Sequence, residues 1–212
     1  MTDYGILVFF VLLITVGYLV YDTYWNREQE WVISNIDGEA YLVRSLPDKQ
    51  EAADLLAEIR KKLDLTVTHF AKTEPDDPRS IRMKENYRPD KLTEGNEDTR
   101  YTSYSINKGE KIVFCLRSRD GKNTLADLNT MAFVALHELA HLATESIGHT
   151  DEFWENFKWI LEGSLNIGVY QDRDYKNSPQ PYCGIQITDS PLHNDYAEEQ
   201  QKKKVNNDVV RK

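Results

Sequence analysis

The stretch Leu128-Asn129-Thr130-Met131-Ala132-Phe133-Val134-Ala135-Leu136-His137-Glu138-Leu139-Ala140-His141 decides the fold. It is largely apolar and rich in helix formers, so it reads as a helix expected over about 125–145. Residues four apart on a helix are offset by about 40°. His137 and His141 therefore offer two imidazoles to one point, which is the geometry of a bidentate zinc clamp. Glu138 lies at the flank of the same face, where a carboxylate can reach a metal-activated water without being a ligand. It is the expected general base. The competing reading makes both histidines core residues satisfied by backbone carbonyls, and a third ligand separates the two.

Downstream, Gly148 can end the helix in a left-handed turn and bring His149 back towards the metal. His149 is the favoured third ligand. Asp151, Glu152, Glu155 and Glu162 are the carboxylate alternatives, because a His-His-carboxylate site is equally sound zinc chemistry. Asp151 also suits the N-terminus of a helix over 152–162, whose Phe153, Trp154, Phe157, Ile160 and Leu161 form a packing face. Three protein ligands leave one zinc position for water, so peptide-bond hydrolysis is the expected reaction on a protein or peptide substrate. Tyr182 and His193 are the candidates for a donor to the oxyanion. Tyr182 has a plainer alternative as a strand residue of 181–187.

Around this segment the chain reads as α+β: a compact minimal zincin-like domain over 39–189, with an active-site helix, a small sheet and packing helices. Runs 101–106 and 111–116 flank Asn107-Lys108-Gly109-Glu110 and predict a β-hairpin. Ala52, Leu55, Leu56, Ile59 and Leu63 share one face of a helix over about 47–62. Strands are expected at 40–44 and 65–70, the latter because Thr66, Val67 and Thr68 are β-branched. Residues 72–100, polar and rich in Asp, Glu, Pro and Arg, read mostly as loop.

After a stub of residues 1–3, Tyr4 to Tyr21 carries no charge. At about 1.5 Å per residue it makes roughly 27 Å of helix, close to the hydrocarbon thickness of a bilayer. It is read as an uncleaved transmembrane helix, since Met1-Thr2-Asp3 lacks the basic residues of a signal peptide. Residues 22–38 follow as a juxtamembrane linker, and 190–212 as a mobile polar tail. Arg27 after the span places the C-terminal domain on the cytosolic side, and the chain contains no Asn-x-Ser/Thr acceptor. The net charge of −9 over 212 residues opposes a nucleic-acid partner. Cys115 and Cys183 have no metal-binding or disulfide-framework spacing and are expected as buried free thiols.

His137-Glu138-Leu139-Ala140-His141, followed by Gly148-His149-Thr150-Asp151-Glu152-Phe153-Trp154, resembles the WLM family of zinc peptidases, relatives of the SprT-like proteases. The likeness extends to Lys111-Ile112-Val113-Phe114-Cys115-Leu116-Arg117 and more faintly to residues 87–94, covering about 47–165. It implies zinc ligation by His137, His141 and His149, with Glu138 catalytic, in a short anchored version of the kind found in large DNA viruses. The interval between His141 and His149 is a couple of residues longer than the usual family pattern. Two other classes remain as alternatives: an inactive zinc-binding interaction module and a membrane structural protein. Glu138 argues against the first, since a structural zinc site is normally closed by a fourth protein ligand and needs no such carboxylate.

Overall fold

A computed structural model of the protein describes residues 3–25, 28–97 and 101–193. The apolar run at the start forms helix α1, Asp3–Trp25. Leu7, Phe9, Leu13 and Val20, which lie on different sides of the helix, are each at least half exposed among the described residues. Among the described residues no helix is long and apolar enough to cross a membrane. The uncharged run 4–21 lies wholly within α1. The anchor expected at 4–21 therefore coincides with a helix, and its insertion is a proposal.

Strand β1, Gln29–Ile33, lies within the expected linker and pairs antiparallel with β2, Ala40–Arg44. The domain thus begins earlier than residue 39. Its linker-like composition hid an edge strand, in which Trp31 and Ile33 stay exposed. Helix α2 runs Lys49–Thr73 and absorbs the strand expected at 65–70. The β-branched run is overridden by packing: Thr66 and Phe70 are buried, and Thr66 Oγ1 bonds back to the Lys62 carbonyl at 3.0 Å. The segment read as loop also contains structure. Helix α3, Pro78–Asn86, starts at Pro78 with the Asp77 carboxylate accepting from Arg79 N. A 3-10 turn at Pro89–Lys91 then leads into β3, Leu92–Glu94.

The expected hairpin is present as β4, Ser103–Ile106, and β5, Lys111–Phe114, paired antiparallel. The sheet order is β1-β2-β3-β5-β4, with β3 parallel to both β2 and β5, so β4 is an edge. Helix α4, Leu128–Ala143, is the active-site helix and packs on α2, α3 and α5, the last spanning Asp151–Asn166. A separate hairpin of β6, Gln180–Tyr182, and β7, Ile185–Ile187, completes the domain. Of the tail expected over 190–212, residues 190–193 are a turn on the domain, with Ser190 buried and His193 N donating to the Ser190 carbonyl, and the remainder lies outside the described residues.

Two long-range ties were not legible in the sequence. The Glu94 carboxylate, 1% exposed, accepts from Arg117 Nε at 2.8 Å and from the Arg44 backbone N–H at 2.7 Å, while Arg117 also pairs with Asp48. These contacts join β2, β3 and the start of α2 inside the fold. Cys115 and Cys183 are not free thiols but form a disulfide, with Cα atoms 6.3 Å apart. Spacing could not show this, because 68 residues separate the two and only the placement of the β6–β7 hairpin beside the end of β5 brings them together.

The β4–β5 turn is held by close contact. Gly109 has φ +108°, and a Cβ there would lie 2.4 Å from the Asn86 carbonyl oxygen, a backbone atom with little room to yield. Gly109→Ala is expected to lower stability by about 1–3 kcal/mol, measurable as a fall in the urea midpoint at unchanged slope.

Candidate metal centre

Helix α4 is fastened at both ends, which sets the position of its histidines. At the N-terminus the Asp127 carboxylate accepts from Asn129 N and Thr130 N, each at 3.1 Å, and pairs with Arg173 at 3.0 Å. Burial pushes this carboxyl up, but hydrogen bonds from Thr130 and Arg173 more than offset it, leaving the pKa below the usual value. At the C-terminus Arg82 Nε donates to the Ala143 carbonyl at 2.7 Å and Lys108 Nζ to Thr144 O at 2.9 Å. Anion at one end and cations at the other suit the helix dipole. Asp127→Ala should cost about 1 kcal/mol, read by chemical denaturation at neutral pH. A lowered folded-state pKa gives stability that is present above the unfolded carboxyl value and lost as pH falls through the folded one. The gap between wild type and Asp127→Ala should therefore close in acid.

His149 reaches the helix from the connection to α5. The helix ends at Ala143 rather than near 145, and Gly148, with φ +86°, turns the loop. Glu152 pins that loop by accepting from Glu145 N at 2.9 Å and Ser146 N at 3.1 Å, and Thr150 caps α5 by accepting from Phe153 N. The cap is thus Thr150, with Asp151 in the first turn.

The three imidazoles converge. Ring centroids of His137, His141 and His149 form a nearly equilateral triangle with sides of 5.0, 4.9 and 5.0 Å. Nε2 of His137 and Nε2 of His149 are 3.0 Å apart. One ligand nitrogen from each ring lies within 4.8 Å of the others, and this is the group of that kind among the described residues. None of Asp151, Glu152, Glu155 and Glu162 belongs to it. Nitrogens about 2.0–2.1 Å from a shared tetrahedral zinc stand roughly 3.4 Å apart, so the donor set fits that cation with small ring movements. Burial, then the neighbouring imidazoles, lowers the pKa of His137 to about 3; burial, then His149 and Lys108, lowers His141 to about 4. Burial also lowers His149. In all three the shift is towards the neutral form, the one that donates a lone pair to a metal.

Glu138 is 3% exposed and lines the same cavity as the three rings. Burial pushes its carboxyl up to about 8. Phe153 stacks on His141 at 4.4 Å, and Phe153 and Phe157 meet the His137 ring edge-on. These packing residues were read only as a helix face, although they also wall the site.

The two candidate oxyanion donors separate. Tyr182 lines the cavity, but its hydroxyl donates to the Cys115 carbonyl at 2.9 Å and meets Ser103 Oγ at 2.7 Å. It is the strand tyrosine of the plainer alternative. His193 pairs with Asp172 at 2.9 Å and is not among the residues lining the cavity.

A helix bearing His-Glu-x-x-His, a third histidine returned by a turn, and a mixed sheet with an edge strand beside them define a metallopeptidase-like α+β domain. The chain belongs to the WLM family, whose domain model matches residues 35–211. Members of that family are in general zinc-dependent. The chain is 34% identical over 176 residues to protein R325 of Acanthamoeba polyphaga mimivirus, covering 79% of this chain and 86% of that one. It is also 34% identical over 94 residues to protein 136R of Invertebrate iridescent virus 6, covering 44% and 48% of the two chains. These relatives come from large DNA viruses. Among solved structures, Wss1 from Saccharomyces cerevisiae matches with a TM-score of 0.44 at 24% identity, over 59% of this chain and 87% of that chain.

Proposed function

We propose that the chain is a zinc-dependent endopeptidase held to a membrane by α1. The observation that carries the reading is the triangle of converging imidazoles with a buried carboxylate on the same cavity. His137, His141 and His149 would hold the cation, leaving the cavity side open. When bound, zinc supplies Lewis acidity that acidifies water and polarises a carbonyl. Glu138, its raised carboxyl brought back to the ionised form by the positive charge that the site would hold, would take the proton of the attacking water and return it to the leaving amine. Phe153 and Phe157 keep bulk water from the protein side of the site, and β4, with one edge unpaired in the sheet, offers main-chain partners to an extended substrate.

The run 4–21 supports anchoring through its length and freedom from charge. The Cys115–Cys183 disulfide favours a compartment in which thiols oxidise, opposite to the cytosolic side suggested by Arg27. The acidic balance continues to disfavour nucleic acid.

Elemental analysis of the purified chain, combined with hydrolysis of a denatured protein before chelation, after chelation and after zinc is returned, tests the reading. One equivalent of zinc with chelator-sensitive cleavage is expected. Bound zinc without cleavage would favour an interaction module, and no bound zinc would favour a membrane structural protein.

A further inference from the structure

Large apolar side chains gather at the mouth of the cleft. Tyr101, Ile147 and Ile185 line it and are 68%, 89% and 51% exposed. They come from three separate segments: the approach to β4, the loop that carries His149, and the β6–β7 hairpin. Scattered exposed apolar residues are ordinary on a protein surface, whereas convergence on one concavity marks a binding site. Deeper in the same cavity, of about 760 Å³, stand Phe133, Val134 and Trp154.

Charge is scarce there. Lys108 reaches the cavity, but its ammonium is engaged by the carbonyls of Thr144 and Glu145 at the end of α4. Glu138 faces the metal centre, and Asp189 sits near Ile187 on the lining. A charged substrate side chain laid against Phe133, Val134 or Trp154 would lose water with little charge to meet it, Asp189 being the one lining carboxylate besides Glu138 among the described residues. An apolar one would bury its surface against theirs.

We infer that the cleft binds extended peptide segments carrying apolar side chains and discriminates against charged ones, so that its substrates are chains exposing residues that native folds bury. The inference names the substrate class of the proposed peptidase and rests on that reading for cleavage, but not for binding. Three features combine here: the free edge of β4 holds the main chain, the apolar walls select the side chains, and the rim formed by Tyr101, Ile147 and Ile185 gives first contact.

The test uses the full-length, zinc-loaded Glu138→Gln chain in lipid nanodiscs, with empty discs as control. Its affinity is measured by fluorescence anisotropy for two labelled decapeptides of one backbone length, one bearing Leu and Phe, the other Ser and Glu at the same positions. The apolar peptide should bind about tenfold or more tightly. Ile147→Asp should remove most of that preference at unchanged zinc content. Ile185→Asp, on a different segment, should do the same and keeps the result interpretable if the first change disturbs His149. Equal affinity for both peptides, or a preference untouched by both substitutions, would overturn the inference. Cleavage of a denatured protein by the wild-type chain with no apolar preference would also sink it while leaving the peptidase reading intact. Selective apolar binding without any wild-type cleavage would remove the peptidase reading and leave the cleft as a peptide-binding site.

Discussion

Replacing Glu138 by Gln is expected to reduce peptide hydrolysis by about 10²–10⁴-fold while the chain still binds one zinc. The substitution keeps side-chain volume in a position that is 3% exposed, so packing should survive. Among the described residues the carboxylates lining the cavity are Glu138 and, on the hairpin side, Asp189, and the substitution removes the first of them. The loss should fall on kcat more than on KM, because the proton moves in the transition state rather than on binding. Steady-state kinetics paired with metal analysis would check both halves. Residual activity within a few-fold of wild type would remove Glu138 from the role.

The second large effect concerns the cation. A ligand that binds only the folded chain stabilises it by about 4 kcal/mol at a thousand times its dissociation constant. Adding zinc to the stripped protein should raise the melting temperature accordingly, and His137→Ala should abolish the rise. His137 is the informative position: its ring contacts those of His141 and His149 and is walled by Phe153 and Phe157. Its removal should also lower metal-free stability, since the ring packs against that aromatic group. The diagnostic readout is therefore the zinc-induced shift and not the melting temperature itself. A shift that persists in His137→Ala would show that zinc stabilises the fold from elsewhere.

The parts of the fold with strong periodicity were readable from residues alone. The helix bearing His137 and His141, the β4–β5 hairpin, the strand at Ala40–Arg44 and the aromatic face of α5 all appear where expected. What escaped was set by tertiary context. Thr66, Val67 and Thr68 favour a strand locally, yet α2 continues through them because Thr66 and Phe70 are buried in the core. The polar segment 72–100 lacked an apolar period, yet its Asp77-Pro78 pair was a legible helix start, and α3 follows it. Gln29–Ile33 is a short edge strand of linker-like composition, although its partner β2 lies just one turn further on, and Leu92–Glu94 pairs only with strands distant in the sequence.

At the site, the pattern His-Glu-x-x-His carried the first two imidazoles by helical geometry. His149 rested on the turn-forming glycine before it, and the returned loop does place its ring with the others. The cavity wall was less accessible to such reasoning. Phe133 sits on α4, Trp154 on α5, Tyr101 before β4 and Ile185 on a hairpin, and only the assembled domain makes them neighbours.

The bond between Cys115 and Cys183 has a practical bearing on anyone preparing this protein. It staples the hairpin that carries Tyr182 and Ile185 to the end of β5, whereas the histidines are positioned by α4 and its following loop, which owe nothing to that staple. Material produced in a thiol-rich cytoplasm would therefore load metal normally yet present a groove with one side unfastened, and zinc occupancy would be a poor guide to the quality of the batch. Oxidative production, or a thiol titration run beside every activity assay, is the matching precaution.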